Sequence, residues 1–167
     1  MRKTFHILQA NLRKTAKTQL SLLNDKDLHN FGLLLIQEPH CWHVDGQVIT
    51  VLRQHACWTP YVPTTHNEDG CWPFWSMSWA HRDLSVKPVL TPSPDITAVL
   101  TEVEGCQILA MLVYILKQQG GAGDALPSHL HGIQEVVEKT RQEQGSRPIE
   151  LIIAGDFNRH DQLWGGD

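Results

Sequence analysis

The segment Ile149-Glu150-Leu151-Ile152-Ile153-Ala154-Gly155-Asp156-Phe157-Asn158 constrains this chain more than any other. An apolar run of this length, bounded by Pro148 and Gly155, reads as a buried strand. Glycine reaches backbone conformations closed to other residues, so a sharp turn at Gly155 would present Asp156 and Asn158 at the strand's carboxyl end. Open α/β sheets keep their chemistry at that edge. An acid and an amide on one strand tip suit a site for metal and phosphate. Asp156 is a candidate for holding and polarising an attacking water, and Asn158 for donating to a phosphate oxygen.

The rest of the chain alternates between strand and helix periodicities. Phe5, Ile7 and Leu8 mark a first strand, Thr4 to Ala10, leading to Asn11. Ala16, Leu20, Leu23, Asp27 and Phe31 recur at spacings of four and three, which predicts a helix from Lys17 to Asn30 interrupted on its apolar face only by Asp27. Gly32 fits the C-cap of that helix. Leu33-Leu34-Leu35-Ile36 then has the continuous apolarity of a strand buried on both faces. It delivers Gln37 and Glu38 to its far end, where Pro39 stops it. Magnesium takes oxygen ligands, keeps several waters and needs only one or two protein carboxylates, so Glu38 suits a hard cation, with Asn11 beside it.

Residues 39–72 read as irregular and are rich in His, Cys, Trp and Pro. Strands are expected at Phe74 to Ala80, Ser85 to Leu90, Ile96 to Val103 and Gln107 to Ile115, with Glu104-Gly105 as a hairpin turn. Gln118 to Asp124 reads as a loop, and Leu126, Leu130, Ile133, Val137 and Thr140 mark a second helix. The order β-α-β, a run of strands, then α-β argues a layered α/β sandwich rather than a doubly wound sheet.

Composition narrows the class. At 167 residues and 41% hydrophobic, the chain holds one domain with a substantial core. Its 14 Lys and Arg stand against 18 Asp and Glu, so it lacks the strongly basic balance of a dedicated nucleic-acid binder. A metal-dependent phosphodiesterase remains compatible, because it needs local acids and only a local basic patch. Arg13, Lys14 and Lys17 beside Asn11 could form such a patch or a solvated helix face. Cys41, Cys57, Cys71 and Cys106 show no CxxC pairing, and no signal segment or membrane-length apolar run is present. Free thiols in an intracellular compartment, nuclear or cytoplasmic, are the expectation. His40, Cys41, His43, His55, Cys57, His66 and Cys71 lack the paired spacing of structural zinc sites. Trp42, Trp58, Trp72, Trp75 and Trp79 suit a core more than base stacking.

Asn11, the run Leu34-Leu35-Ile36-Gln37-Glu38-Pro39 and Gly155-Asp156-Phe157-Asn158 together resemble the successive motifs of the endonuclease/exonuclease/phosphatase superfamily. That family includes deoxyribonuclease I, apurinic endonucleases and the endonuclease domains of LINE-type retrotransposons. Gly155 to Gly166, with Arg159-His160-Asp161 and Trp164 inside it, and Trp79-Ala80-His81-Arg82-Asp83-Leu84 look like fungal non-LTR elements in particular. The resemblance covers essentially the whole chain and implies a four-layer α/β sandwich of deoxyribonuclease I type.

By the same resemblance, Asn11 and Glu38 would hold Mg2+ or Mn2+, Asp156 would orient the nucleophile, and Asn158 and Tyr114 would face the scissile phosphate. The implied activity is an endonuclease that nicks DNA, with no membrane association and with a reverse transcriptase downstream in an intact element. The family's closing Asp and Ser-Asp-His motifs have no counterpart in residues 1–167. The expectation is therefore a single partial domain, incomplete at its C-terminus, with impaired turnover or none and an uncovered, poorly soluble edge after the last strand. A phosphatase of the same superfamily is the less favoured alternative.

Overall fold

Two parallel strand pairs organise the molecule, and each brings its own crossover helix. The computed structural model describes residues 4–44, 47–50, 55–67, 72–115 and 126–157. Strand β1 (His6–Asn11) runs parallel to β2 (Phe31–Gln37), with helix α1 (Ala16–Leu23) and a 3-10 turn (Lys26–Asn30) between them. Strand β9 (Cys106–Tyr114) runs parallel to β10 (Ile149–Asp156), joined through α2 (Leu126–Gln144). Parallel neighbours cannot be linked by a tight turn, which is why each pair encloses a helix.

Antiparallel strands extend both pairs. Strands β5 (Trp58–Tyr61) and β6 (Ser76–His81) complete one sheet in the order β1-β2-β6-β5. Strands β7 (Val86–Val89) and β8 (Ile96–Val103) complete the other, in the order β10-β9-β8-β7. A separate ribbon pairs β3 (Cys41–Val44) with β4 (Gln47–Thr50).

Side-chain alternation stacks these elements into four layers. Leu34 and Ile36 of β2 join Leu23 of α1, Trp58, Phe74, Met77 and Trp79 in one buried cluster. Leu33, on the opposite face of the strand, meets Ala80, Val99 and Ala110 between the sheets. Ile133 and Val136 of α2 cover Ile96, Leu100, Leu109, Met111 and Val113 on the far side. The layers run helix, sheet, sheet, helix, a DNase I-like α/β sandwich. Small residues line the seam between the sheets, and Ser76 and Thr97 hydrogen-bond across it at 2.8 Å.

Several sequence expectations change in three dimensions. The helix expected over Lys17 to Asn30 ends at Leu23, where Asn24 turns its side-chain amide back onto the Leu20 carbonyl. Asp25 then caps the 3-10 turn by accepting from the Asp27 N–H, so the short polar side chains end one element and start the next. Gly32 is no C-cap. It lies buried inside β2, because the Phe5 ring occupies the space where a Cβ would sit. The stretch 39–72, read as irregular, contains β3, β4 and β5, whose short strands carry too little periodicity to be recognised. On α2 Gly132, Ile133, Val136 and Thr140 are buried, while Leu130 is exposed. Thr140 is accommodated because its hydroxyl donates to the Val136 carbonyl at 2.7 Å.

The largest correction concerns β10. It is the outermost strand of its sheet among the described residues, and Leu151 and Ile153 are exposed rather than buried. The hairpin turn at Glu104-Gly105 forms as expected, with both residues at positive φ, 51° and 80°.

Candidate active site

Both parallel pairs end on the same side of the molecule, so four strand tips converge. Asn11 lies opposite Gln37 at the end of β1 and β2, and Asp156 lies opposite Tyr114 at the end of β10 and β9. Gln9 joins the two sheets there by donating to the Gln37 side-chain oxygen at 3.1 Å and to the Gly155 carbonyl at 3.3 Å. Gly155 continues the strand instead of turning it. A Cβ at this position would stand 2.2 Å from the Val113 carbonyl oxygen, so the glycine is required by close strand approach.

Glu38 is the centre of the cluster. Its φ of 46° puts a non-glycine residue in the left-handed region, at a cost of about 1–3 kcal/mol that surrounding contacts must offset. Those contacts are present. The Glu38 N–H donates to the Trp75 carbonyl at 2.9 Å, and the Glu38 carbonyl accepts from the Lys14 N–H at 2.8 Å. Pro39 follows, which already disfavours the right-handed helical region at Glu38. The carboxylate accepts from the Asn11 amide at 2.9 Å and from the Tyr114 hydroxyl at 3.1 Å. Asn11 is itself oriented by accepting the Arg13 N–H at 2.9 Å.

A cation and aromatic rings form the adjoining wall. Trp75 stacks on Tyr114 with centroids 5.4 Å apart and planes 8° from parallel. The Lys14 ammonium lies 3.8 Å from the Trp75 centroid and 5.0 Å from that of Trp72. Burial lowers the Lys14 pKa, and the Glu38 charge partly opposes that shift. The Lys14 carbonyl is 2.9 Å from His40 Nδ1. Behind this wall Cys41 is an inert core thiol, pushed up to about 12 by burial. Cys41, Cys57 and Cys106 are all free thiols.

No family model matches the sequence, and no curated protein matches it. Solved structures do. The endonuclease domain of TRAS1, a telomere-specific non-LTR retrotransposon, superposes with a TM-score of 0.60 at 21% identity, covering 98% of this chain and 65% of that domain. The likeness shows a DNase I-like fold. Beta toxin from Staphylococcus aureus matches at a TM-score of 0.56 and 9% identity, covering 93% of this chain and 66% of the toxin. TDP2 from D. rerio, solved with a single-strand DNA product, matches at 0.53 and 13% identity over 96% of this chain and 64% of that protein. The chain thus spans about two thirds of the length of these three structures.

On this DNase I-like scaffold, Asn11, Glu38 and Tyr114 come into direct contact and Asp156 stands beside Tyr114. Asn158, the remaining expected site residue, lies outside the described residues, as do His160, Asp161 and Trp164. A hydrated divalent cation fits the donor set, because Glu38 is a half-exposed carboxylate with neutral donors and no ion-pair partner among the described residues. Among the described residues no group of three or more His, Cys, Asp or Glu is arranged to hold a metal, and Cys71 of the His and Cys set lies outside them.

Sequence reasoning missed Trp75, which it assigned to the core with the other tryptophans. Trp58 and Trp79 are buried there, whereas Trp75 is half-exposed at the site. In the sequence it falls inside the strand expected over Phe74 to Ala80, whereas β6 begins at Ser76 and leaves Trp75 just ahead of it.

Proposed function

We propose that this chain carries the metal-binding and nucleophile-orienting edge of a DNA-nicking phosphodiesterase of retrotransposon type. The observation that carries the reading is the Glu38 carboxylate, held by Asn11 and Tyr114 at a strand tip beside Asp156. Glu38 and Asn11 supply the oxygen ligands for Mg2+ or Mn2+, whose charge would stabilise the developing negative charge on the phosphoryl oxygens. Asp156 holds a water in line with the phosphorus and accepts its proton as the P–O bond to the leaving 3′-oxygen breaks. The water oxygen bonds to phosphorus in its place, leaving a 5′-phosphate, and the departing oxygen takes a proton from solvent to become a 3′-hydroxyl. Tyr114, whose single proton goes to Glu38 in the free protein, would turn it to a non-bridging oxygen of the scissile phosphate once DNA is bound, and Asn158 would complete the contact.

Local placement makes DNA binding compatible with a net charge of −4, since Arg13 and Lys14 flank Asn11. In a retrotransposon the freed 3′-hydroxyl would prime a reverse transcriptase carried by the same element. No helix among the described residues is long and apolar enough to cross a membrane.

Nicking of supercoiled plasmid tests this reading. With Mg2+ the chain converts supercoiled to open-circular DNA, chelation stops it, and Asp156→Asn and Glu38→Gln each lower the rate by at least 100-fold. Equal rates for the native chain and Asp156→Asn would sink it.

A further inference from the structure

Trp75 is attached to the site in three ways that no single core role explains. Its carbonyl accepts the N–H of Glu38, the strained residue that presents the carboxylate. Its indole lies flat on Tyr114, the residue whose hydroxyl donates to that carboxylate. Its ring also carries the Lys14 ammonium, while the Lys14 N–H donates to the Glu38 carbonyl. Trp75 precedes β6 of one sheet, Glu38 follows β2 of the same sheet, and Tyr114 ends β9 of the other. The indole therefore couples groups from two sheets.

A phenol hydroxyl is positioned by its ring, and Tyr114 has two side-chain torsions to lock. Near-parallel stacking on a rigid indole restricts the ring tilt that would swing the hydroxyl away from Glu38. The carboxylate in turn is defined by the two donors it accepts from, Asn11 and Tyr114. Loss of the stack frees one donor and lets a strained residue relax. Misplacement by about 1 Å at such a site costs on the order of 100-fold in rate.

We propose that Trp75 is a positioning residue, whose ring holds Tyr114 and through it the Glu38 carboxylate in the geometry that receives a divalent cation. The proposal rests on the reading of Glu38 as the metal-holding group. Substitutions at Trp75 leave the backbone carbonyl in place, so they isolate the ring.

The test uses Mn2+ alone, without DNA, and reads its affinity by calorimetry. Trp75→Phe, which keeps a flat ring on Tyr114, binds Mn2+ within about threefold of the native chain, while Trp75→Leu binds about tenfold more weakly. In the Trp75→Leu background, Tyr114→Phe costs nothing further. Native affinity in a folded Trp75→Leu variant overturns the proposal. So does a Trp75→Phe variant as weak as Trp75→Leu. A second measurement does not depend on the leucine variant folding. Mn2+ is paramagnetic and quenches nearby indoles, so its quenching of tryptophan emission falls by at least half in Trp75→Phe; quenching of native depth overturns the placement. Glu38→Gln separates the two levels: if it leaves native Mn2+ affinity intact, the metal assignment itself fails, whatever the Trp75 variants do.

Discussion

Gly155 illustrates how one residue can be required for a reason its sequence context hides. Before an acid and an amide it looks like a turn glycine, but the structure keeps it within β10. The constraint is the Val113 carbonyl, 2.2 Å from where a Cβ would stand. Backbone cannot rotate aside as a side chain can. Gly155→Ala is therefore expected to push β10 off β9 and to lower stability by about 1–3 kcal/mol. For a chain of this size that is a fall in Tm of roughly 2–4 °C per kcal/mol, read by thermal denaturation. Gly32 makes the contrast: the obstruction there is the Phe5 ring, which can swing outward. An unchanged Tm for Gly155→Ala would show that β9 and β10 have slack at the site edge.

At the scale of elements, β10 stands apart from the other long strands. Its partner β9 is buried from Gln107 to Tyr114, whereas β10 leaves Leu151 and Ile153 about 40% exposed along an edge that no strand among the described residues pairs. Phe157 continues the exposed apolar line at 36%. Unpaired N–H and C=O groups beside apolar side chains are a template for association with another strand. Ile153→Lys places a charge on this edge without touching the site. It is expected to raise the concentration at which the chain stays monodisperse several-fold in light scattering, with Mn2+ binding unchanged. If it aggregates as the native chain does, association proceeds through another surface. The apolar run that announced this strand read correctly as a strand and wrongly as a buried one. Hydrophobicity registers what a strand can bury, and its neighbours decide what it does bury.

For the whole molecule, the decisive fact is that two βαβ-like units present their carboxyl ends together. Glu38 and Asp156 come from different sheets and are joined through Tyr114 and the Gln9 bridge. Groups that act as one unit give strongly non-additive losses. The double variant Glu38→Gln/Asp156→Asn is thus expected to nick DNA no more slowly than the worse single variant. Multiplying losses in the plasmid assay would mean that the two carboxylates act independently.

The α/β layered class was legible in the chain alone. Strand-length apolar runs, two amphipathic periods and polar residues at strand ends are local signals, and they picked out Asn11, Glu38 and Asp156 as candidates, while Tyr114 and the four-layer order entered through the family resemblance. Local signals also misled where a neighbour far along the chain took over. Phe5 occupies the space over Gly32, Val113 excludes a side chain at Gly155, and Asn24 and Asp25 divide a helix that periodicity had run together. It takes the packing of the two sheets to bring Trp75 out of the core and onto Tyr114, with Lys14 over its ring. Nothing in the composition of a tryptophan-rich stretch separates that residue from Trp79. The difference arises because the two sheets meet at one edge, and contact across that edge depends on how they pack.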